Sequence, residues 1–360
     1  MESYLDEFPA LREYAYLNTA SEGLLPSRSA KALSEYARRR QLGSLSFDEY
    51  REKVEETRKL IGKLIGARED EIALMQNTSE GLNVVINSLE WERGDSVVTC
   101  DLEFPTVVFP LQKLRKELGV ELRVMRSING VVPDSEVERC IDETTKLVCV
   151  SHVEFATGYK FDLRKISKLC REYQAFLLVD GGQSVGATGI RVREAGVDFL
   201  ASSGSKWMLG PEGTGFLYVR KDLADELEPP RIGWLSDKRP GDFSFREYEL
   251  ADGARRFECG TVNMGGFAAL GESVRLLLEV GVEKIKQRVE NLSSYLRREL
   301  AEIVEVVGPR DKEHSSGIVS FRHPRADGLF RELMKRKVVV SLRLGMVRAS
   351  THFYNSEEDI

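Results

Sequence analysis

The chain has 360 residues, of which 42% are hydrophobic and 31% are charged, and its formal net charge is −6. This size and composition predict one large domain with a sizeable core and a smaller second domain. The mild acidity argues against nucleic acid as the main partner, and no apolar run reaches the roughly 18 residues that a membrane span needs. The N-terminus carries acidic residues early and lacks the apolar stretch of a signal peptide, so we expect a cytoplasmic protein.

Five cysteines are spread along the chain, and no two of them form a CxxC pair. An odd number without paired spacing indicates neither a disulfide framework nor a zinc site. We therefore expect reduced thiols and no metal. The five are Cys100, Cys140, Cys149, Cys170 and Cys259.

The chain begins with helical patterns and continues as strands that alternate with helices. Residues 5–14, 27–41 and 47–66 carry apolar positions at helical spacing and predict three helices. Residues 163–173 predict an amphipathic helix between two apolar segments. The predicted strands are residues 96–100, 122–125, 147–151, 176–180, 199–202 and 215–219. This alternation predicts an α/β domain with a mostly parallel sheet, in which ligands bind beyond the carboxyl ends of the strands.

The last third of the chain has a different pattern. Residues 264–304 read as largely helical, and residues 305–360 read as strand, helix and strand. These patterns predict a smaller α+β domain. We expect residues 17–250 to form the large domain, and residues 1–16 with 251–360 to form the small one.

A carboxylate and an amine follow two of the predicted strands. Asp180 closes the strand 176–180, and Lys206 follows the strand 199–202 in the run Ser203-Gly204-Ser205-Lys206. A lysine amine can form a Schiff base with an aldehyde, and a carboxylate can keep a pyridine nitrogen protonated. These are the two groups that pyridoxal 5′-phosphate (PLP) chemistry requires from a protein.

Other residues near strand ends suit the same ligand. Thr78 and Ser79 open a predicted helix, where hydroxyl and backbone N–H groups bind phosphate well. Phe104 follows a strand and could stack on a flat ring. Each has an ordinary alternative, as a helix cap or a core aromatic. The turn from Gly210 to Gly215 matches neither GxGxxG nor a P-loop, so it does not indicate nucleotide binding.

Together these residues resemble the class V aminotransferase family of PLP-dependent enzymes (fold type I), which also includes cysteine desulfurases, kynureninase and isopenicillin N epimerase. The resemblance runs from Tyr16-Leu17-Asn18 to the segment that follows Arg348, and residues 197–218 are its most specific part. It implies the aspartate aminotransferase-like fold of PLP-dependent transferases and PLP as the cofactor.

The resemblance also implies a role for each matching residue. Lys206 and Asp180 would be catalytic, since Lys206 would hold PLP covalently and Asp180 would pair with its ring nitrogen. Gln183 would bind the ring hydroxyl and Phe104 would stack on the ring. The remaining cofactor contacts would come from Thr78, Ser79, Ser203, Ser205 and, in the neighbouring subunit of a homodimer, Thr261. Arg348 would bind the substrate carboxylate, and Asn18 would line the substrate side.

Three positions depart from the family pattern. Ser205 stands where relatives usually carry histidine, and Phe155 stands where many carry asparagine. Desulfurases carry a reactive cysteine shortly before the substrate arginine, whereas no cysteine stands between Lys335 and Arg348. The third departure argues against the formation of a persulfide on the protein.

From these residues we expect an aminotransferase that acts on an amino acid with a 2-oxo acid as its second substrate. The same site would support a C–S lyase or a selenocysteine-lyase-like enzyme that works by direct β-elimination. It would also support an amino-acid epimerase similar to isopenicillin N epimerase. Outside enzymes, the alternative is a non-catalytic PLP-fold protein that serves as a binding or regulatory subunit.

Overall fold

The computed structural model describes residues 4–360 and has a seven-stranded sheet at its centre. The strands lie in the order β2-β8-β7-β6-β5-β3-β4, and six of them run in one direction while β8 runs in the opposite one. The predicted α/β class with a mostly parallel sheet is therefore confirmed. The strands are β2 (Ile72–Met75), β3 (Ser96–Cys100), β4 (Glu121–Met125), β5 (Thr145–Ser151), β6 (Phe176–Asp180), β7 (Phe199–Ser203) and β8 (Gly215–Val219).

Helices cover both faces of this sheet, which is why its central strands are buried along most of their length. Local signals fix the ends of several helices. Ser46 accepts a hydrogen bond at the start of α2, and Gly66 ends that helix in the left-handed region, with φ +74°. The helices are α1 (Ser27–Gln41), α2 (Phe47–Ile65), α3 (Thr78–Ser88), α4 (Pro105–Leu118), α5 (Asp134–Cys140), α6 (Leu163–Glu172), α7 (Val192–Ala195), α8 (Lys221–Glu226), α9 (Met264–Val280), α10 (Val282–Ala301) and α11 (Ala326–Lys335).

A second, antiparallel sheet has four strands in the order β12-β13-β10-β9. These strands are β9 (Glu305–Val307), β10 (Ile318–Arg322), β12 (Ser341–Arg343) and β13 (Met346–Ser350). The short strand β1 (Ala15–Tyr16) pairs in parallel with β11 (Val338–Val339), so the N-terminal segment is held beside the second sheet. The pattern at residues 305–360 predicted fewer strands, because a two-residue turn at Leu344-Gly345 makes β12 and β13 read as one run.

The predicted helix over residues 5–14 is wrong in extent, since the structure has a 3-10 helix only at Pro9–Arg12. Phe8 explains the difference, because its buried ring packs against Phe353 and Tyr354 and fixes the chain before a helical turn can form. Pro9 then permits a helix start but provides no backbone N–H. Within residues 4–360, no helix has the length and apolar character that crossing a membrane requires. The division into domains at residues 17–250 stays a prediction.

Candidate active site

The carboxyl ends of β5, β6 and β7 meet at one edge of the large sheet, beside a cavity of about 290 Å³. Eight of the eleven residues that the sequence singled out line this cavity. They are Thr78, Ser79, Phe104, Asp180, Gln183, Ser203, Lys206 and Arg348. The other lining residues, to which the sequence prediction gave no binding role, are Ala20, Ser21, Asn77, Thr106, Ser151, Phe155 and Arg343.

Asp180 and Lys206 lie on opposite sides of a space that a glycine keeps open. Asp180 is buried, and its Oδ1 accepts a hydrogen bond of 2.7 Å from the backbone N–H of Gly182. A Cβ atom at Gly182 would lie 3.0 Å from Asp180 Oδ1, 3.3 Å from the hydroxyl of Thr78 and 3.9 Å from Lys206 Nζ. The absence of a side chain at residue 182 therefore leaves room between the carboxylate and the amine.

Burial shifts the pKa values of Asp180 and Lys206 in the directions that favour their neutral forms. It raises the pKa of Asp180, against the opposing effects of Lys206 and the hydrogen bond from Gly182. It lowers the pKa of Lys206, against the attraction of Asp180, and two nearby arginines lower it further. A larger fraction of neutral amine favours attack on an aldehyde, so the surroundings of Lys206 suit Schiff-base chemistry.

A second close approach fixes the backbone around Lys206. A Cβ atom at Gly23 would lie 2.0 Å from the carbonyl oxygen of Lys206, so only glycine fits there. The N–H of Gly23 donates a hydrogen bond of 2.8 Å to the carbonyl of Ser205. The N-terminal segment therefore packs directly on the lysine loop.

The start of α3 forms one end of the cavity. Asn77 caps this helix by accepting a hydrogen bond of 2.9 Å from the N–H of Glu80, and Thr78 and Ser79 follow in the first turn. The hydroxyl of Ser203 is buried and has no hydrogen-bond partner within residues 4–360. A buried hydroxyl beside a helix N-terminus is suited to bind a phosphate group.

The opposite wall of the cavity can hold a flat ring. Lys206 Nζ lies 5.9 Å from the centroid of the Phe104 ring. Gln183 accepts a hydrogen bond of 2.8 Å from the indole of Trp207 and donates one of 2.9 Å to the carbonyl of Ala20. These bonds fix the amide of Gln183 and leave its second N–H available for a ligand oxygen, as its predicted role requires.

Two arginines form the third side of the cavity. Arg348 on β13 is buried, and it donates hydrogen bonds to Ser341 Oγ at 3.1 Å, to the carbonyl of Phe155 at 2.7 Å and to Ser21 Oγ at 2.7 Å. Arg343 donates to the same Ser21 Oγ at 3.0 Å. No carboxylate pairs with either arginine within the described residues. Burial and the neighbouring Arg343 lower the pKa of Arg348 to about 9. Two guanidinium groups without an acidic partner are suited to bind an anionic substrate.

Three of the predicted site residues do not line this cavity. Ser205 contributes its carbonyl to the contact with Gly23, and Asn18 accepts a hydrogen bond of 2.7 Å from Ser21 Oγ. Asn18 thus orients a lining residue and lies behind it. Thr261 is exposed and lies at a separate apolar pocket beside Trp234 and Met264. Its predicted contact with a neighbouring subunit stays a prediction.

No cysteine lines the cavity. Cys100, Cys140, Cys149 and Cys170 are buried, whereas Cys259 is partly exposed. Burial raises the pKa values of the Cys100, Cys149 and Cys170 thiols, which disfavours the reactive thiolate. The turn between β12 and β13 consists of Leu344 and Gly345 and contains no cysteine.

The sequence and the fold both match known proteins. The family model for class V aminotransferases matches residues 15–360. The chain belongs to the class V aminotransferase family. It is 33% identical to a probable cysteine desulfurase of Methanothermobacter thermautotrophicus, over 98% of this chain and 94% of that protein. It is 32% identical to an uncharacterized aminotransferase, YcbU, of Bacillus subtilis, over 100% of this chain and 95% of that protein.

Solved structures of family members have the same architecture. The apo cysteine desulfurase of Thermococcus onnurineus matches with a TM-score of 0.90 and 31% identity, over 99% of this chain and 94% of that one. The cystine C–S lyase C-DES, solved with its product cysteine persulfide, matches with a TM-score of 0.89 and 25% identity, over 98% and 96% of the two chains. The predicted PLP-dependent transferase fold is therefore confirmed.

PLP is the cofactor of this family, and the residues present fit it. The unpartnered hydroxyl of Ser203 and the start of α3 suit the phosphate. Asp180 would hold the ring nitrogen and Lys206 the aldehyde carbon, and Gly182 leaves the space beside both of them open. The expectation of PLP as the cofactor is confirmed at the level of the family.

Proposed function

We propose that this class V enzyme is a C–S lyase that acts on cysteine-type amino acids by β-elimination and uses no thiol of its own. The observation that carries the proposal is a cavity that contains Lys206, Asp180 and Arg348 but no cysteine sulfur. Relatives named as cysteine desulfurases and a cystine C–S lyase support a sulfur-containing substrate. The sequence alone favoured an aminotransferase, and these relatives shift the preference to the lyase.

Each step of this reaction has a residue suited to it. Bound PLP supplies the electron sink that stabilises the negative charge on Cα of the substrate. Arg348 holds the α-carboxylate with its planar guanidinium and so orients Cα. Lys206 Nζ removes the proton from Cα, which its lowered pKa favours. Asp180 keeps a proton on the ring nitrogen, and Phe104 shields one side of the cavity from water.

The atoms of the proposed reaction balance without an oxidant or a reductant. The Cβ–S bond breaks, and the sulfur leaves with both electrons of that bond as hydrosulfide or, from cystine, as cysteine persulfide. The remaining three-carbon product reacts with water and gives pyruvate and ammonia. A protein thiol has no part in this sequence.

The test measures both products of the purified, PLP-loaded protein with L-cysteine and with L-cystine. We expect pyruvate and the sulfur product in equal amounts, and neither from Lys206→Ala. Lys146→Ala is the control, because Lys146 is a partly buried lysine that pairs with Asp95 outside the cavity. A fully loaded protein that forms no pyruvate from either substrate would overturn the proposal.

An aminotransferase is the second candidate, because the relative from Bacillus subtilis that matches the whole chain carries that name. The two reactions differ in their need for an acceptor. Transamination requires an added 2-oxo acid and leaves sulfur attached to carbon, whereas β-elimination releases sulfur without an acceptor. Product formation with and without added 2-oxoglutarate therefore separates them.

We also infer a homodimer, as the family resemblance implied. Two exposed aromatic side chains, Trp234 and Phe243, line the pocket at Thr261, and two more, Phe245 and Tyr248, follow shortly after Phe243 in the chain. Exposed apolar patches of this kind mark interaction surfaces. Phe245→Glu should convert the dimer to a monomer, as measured by light scattering with size-exclusion chromatography, whereas Phe109→Glu, on the exposed side of α4, should not. A wild-type protein that is monomeric at micromolar concentration would contradict the inference.

A further inference from the structure

Two buried acids lie directly behind the wall of the cavity. Glu103 is 8% exposed and Glu154 is 0% exposed. Their carboxylate oxygens and the sulfur of Cys100 lie within 4.8 Å of one another. Cys100 donates a hydrogen bond of 3.1 Å to Glu154 Oε1, and Glu154 Oε2 has no partner within residues 4–360. The mechanism described above uses none of these three groups.

The two carboxyl groups cannot both be charged. Neither forms an ion pair with a cation in the described part of the chain, and burial raises the pKa of each. The other titratable groups that act on the pair are Cys100, Cys149, Tyr159 and Asp180, and none of these is a cation. The pair therefore shares at least one proton at neutral pH and carries at most one negative charge.

Hydrogen bonds place that charge on Glu103. Ser151 donates two hydrogen bonds to its carboxylate, from the backbone N–H at 2.5 Å and from the hydroxyl at 2.6 Å. Hydrogen bonds to a carboxylate favour its charged form. Glu154 receives only the weak thiol bond, so it is the better holder of the shared proton.

Ser151 connects the pair to the cofactor site. It lines the cavity and lies opposite Asp180 in the register of β5 and β6. Side chains at paired positions of neighbouring strands point to the same side of the sheet. Ser151 therefore lies between the charged carboxylate of Glu103 and the carboxylate of Asp180, which is predicted to hold the ring nitrogen of PLP.

We propose that Glu103 is a positioning residue of the PLP site. Its carboxylate, held by Ser151, provides a second negative charge behind Asp180. This charge raises the pH at which bound PLP loses its proton. Glu154 supports this role by holding the proton that leaves Glu103 charged. The inference requires PLP binding but not the C–S lyase reaction, so the two stand or fall separately.

The test compares the absorbance of bound PLP across pH in four proteins: wild type, Glu103→Gln, Glu154→Gln and Ser151→Ala. Glu103→Gln removes the charge and should lower the alkaline midpoint of the titration by about one pH unit. Glu154→Gln leaves the charge on Glu103 in place and should titrate as wild type does. Ser151→Ala removes one hydrogen bond from Glu103 and should shift the midpoint in the same direction by a smaller amount.

A second readout uses the apo protein. Infrared difference spectra should contain one protonated buried carboxyl in wild type and in Glu103→Gln, and none in Glu154→Gln. Equal titration midpoints in all four proteins would overturn the proposal, because the acids would then be structural only. Equal shifts in Glu103→Gln and Glu154→Gln would also overturn it, because a packing defect would explain both. If Glu103→Gln fails to fold, the shift in Ser151→Ala decides.

Discussion

The ring of Phe155 contacts the ring of Phe104 edge to face, with centroids 5.1 Å apart and an interplanar angle of 74°. Phe104 is the residue expected to stack on PLP, and Phe155 stands where many relatives have asparagine. The carbonyl of Phe155 also accepts a hydrogen bond from Arg348. The departure from the family pattern therefore supports the ring wall, whereas the contact with Arg348 comes from the backbone and does not depend on the side chain at residue 155.

Phe155→Leu should weaken PLP binding about 2- to 10-fold, since edge-to-face pairs contribute about 0.5–1.5 kcal/mol beyond their buried area. Leucine keeps an apolar side chain and the backbone carbonyl that Arg348 uses. The measurement is the dissociation constant of PLP from quenching of protein fluorescence. Phe109→Leu, at an exposed position of α4, is the control. Tighter binding in Phe155→Leu would show that the aromatic pair does not support the ring.

Arg348→Lys should raise the KM for the amino-acid substrate about 10- to 100-fold, because lysine cannot reproduce the three hydrogen bonds or the planar contact with a carboxylate. PLP absorbance should be unchanged, since Arg348 lies on the substrate side. The control is Arg336→Lys, an exposed arginine that pairs with Glu332. An unchanged KM would remove Arg348 from the substrate site.

Cys259→Ser should retain sulfur release within about twofold, because no cysteine lines the cavity. Cys259 is also the one cysteine with partial exposure in residues 4–360, so a thiol reagent should modify one site in the native protein and five after unfolding. Mass spectrometry counts the sites. Loss of activity in Cys259→Ser would indicate a sulfur carrier on the protein and would contradict a thiol-free reaction.

The stability of the apo protein should have a maximum near pH 6. Burial lowers the pKa of His152 to about 3 and of His352 to about 4, so stability falls as the pH decreases below about 6.5, where the unfolded chain binds protons that the fold excludes. Burial raises the pKa of Glu154 well above its ordinary value, so the folded state keeps a proton that the unfolded chain releases above about pH 4.3, and stability falls as the pH rises.

Urea unfolding between pH 4 and 9 measures this profile. In Glu154→Gln the decline above about pH 6.5 should be smaller, because the buried acid that keeps its proton in the folded state is gone. A decline that is equally steep in Glu154→Gln would show that this acid does not keep its proton in the folded state over that range.

Much of the fold was predictable because the central strands are apolar runs whose ends are marked by polar residues. Asp180 and Lys206 could be assigned to one site for the same reason, since the carboxyl ends of neighbouring strands meet at one edge of a sheet. The sequence could not show that the helical segment within residues 5–14 is short, because apolar spacing does not reveal that Phe8 packs against residues near the other end of the chain.

The rest of the site depends on contacts between distant parts of the chain. Ser21 meets Arg343 and Arg348 only after the N-terminal segment has packed on the second sheet, and nothing in its local sequence marks it. Nothing in the local sequence marks Glu103 or Glu154 as buried, since single glutamates are mostly exposed. The fold buries them against Cys100 and Ser151, and the periodicity of the sequence gives no sign of these contacts.

The pairing of β1 with β11 has a consequence for the order in which the site is made. Thr19 hydrogen-bonds Tyr354 at 2.6 Å, and the N–H of Ala20 donates to Ser350 Oγ at 2.8 Å. The N-terminal segment therefore cannot complete its contacts until partners more than 300 residues later in the chain have been synthesised. The lysine loop and its sheet can assemble earlier during translation. A nascent chain stopped before residue 340 should therefore bind the cofactor but discriminate poorly among amino acids, since Arg343 and Arg348 have not yet been synthesised.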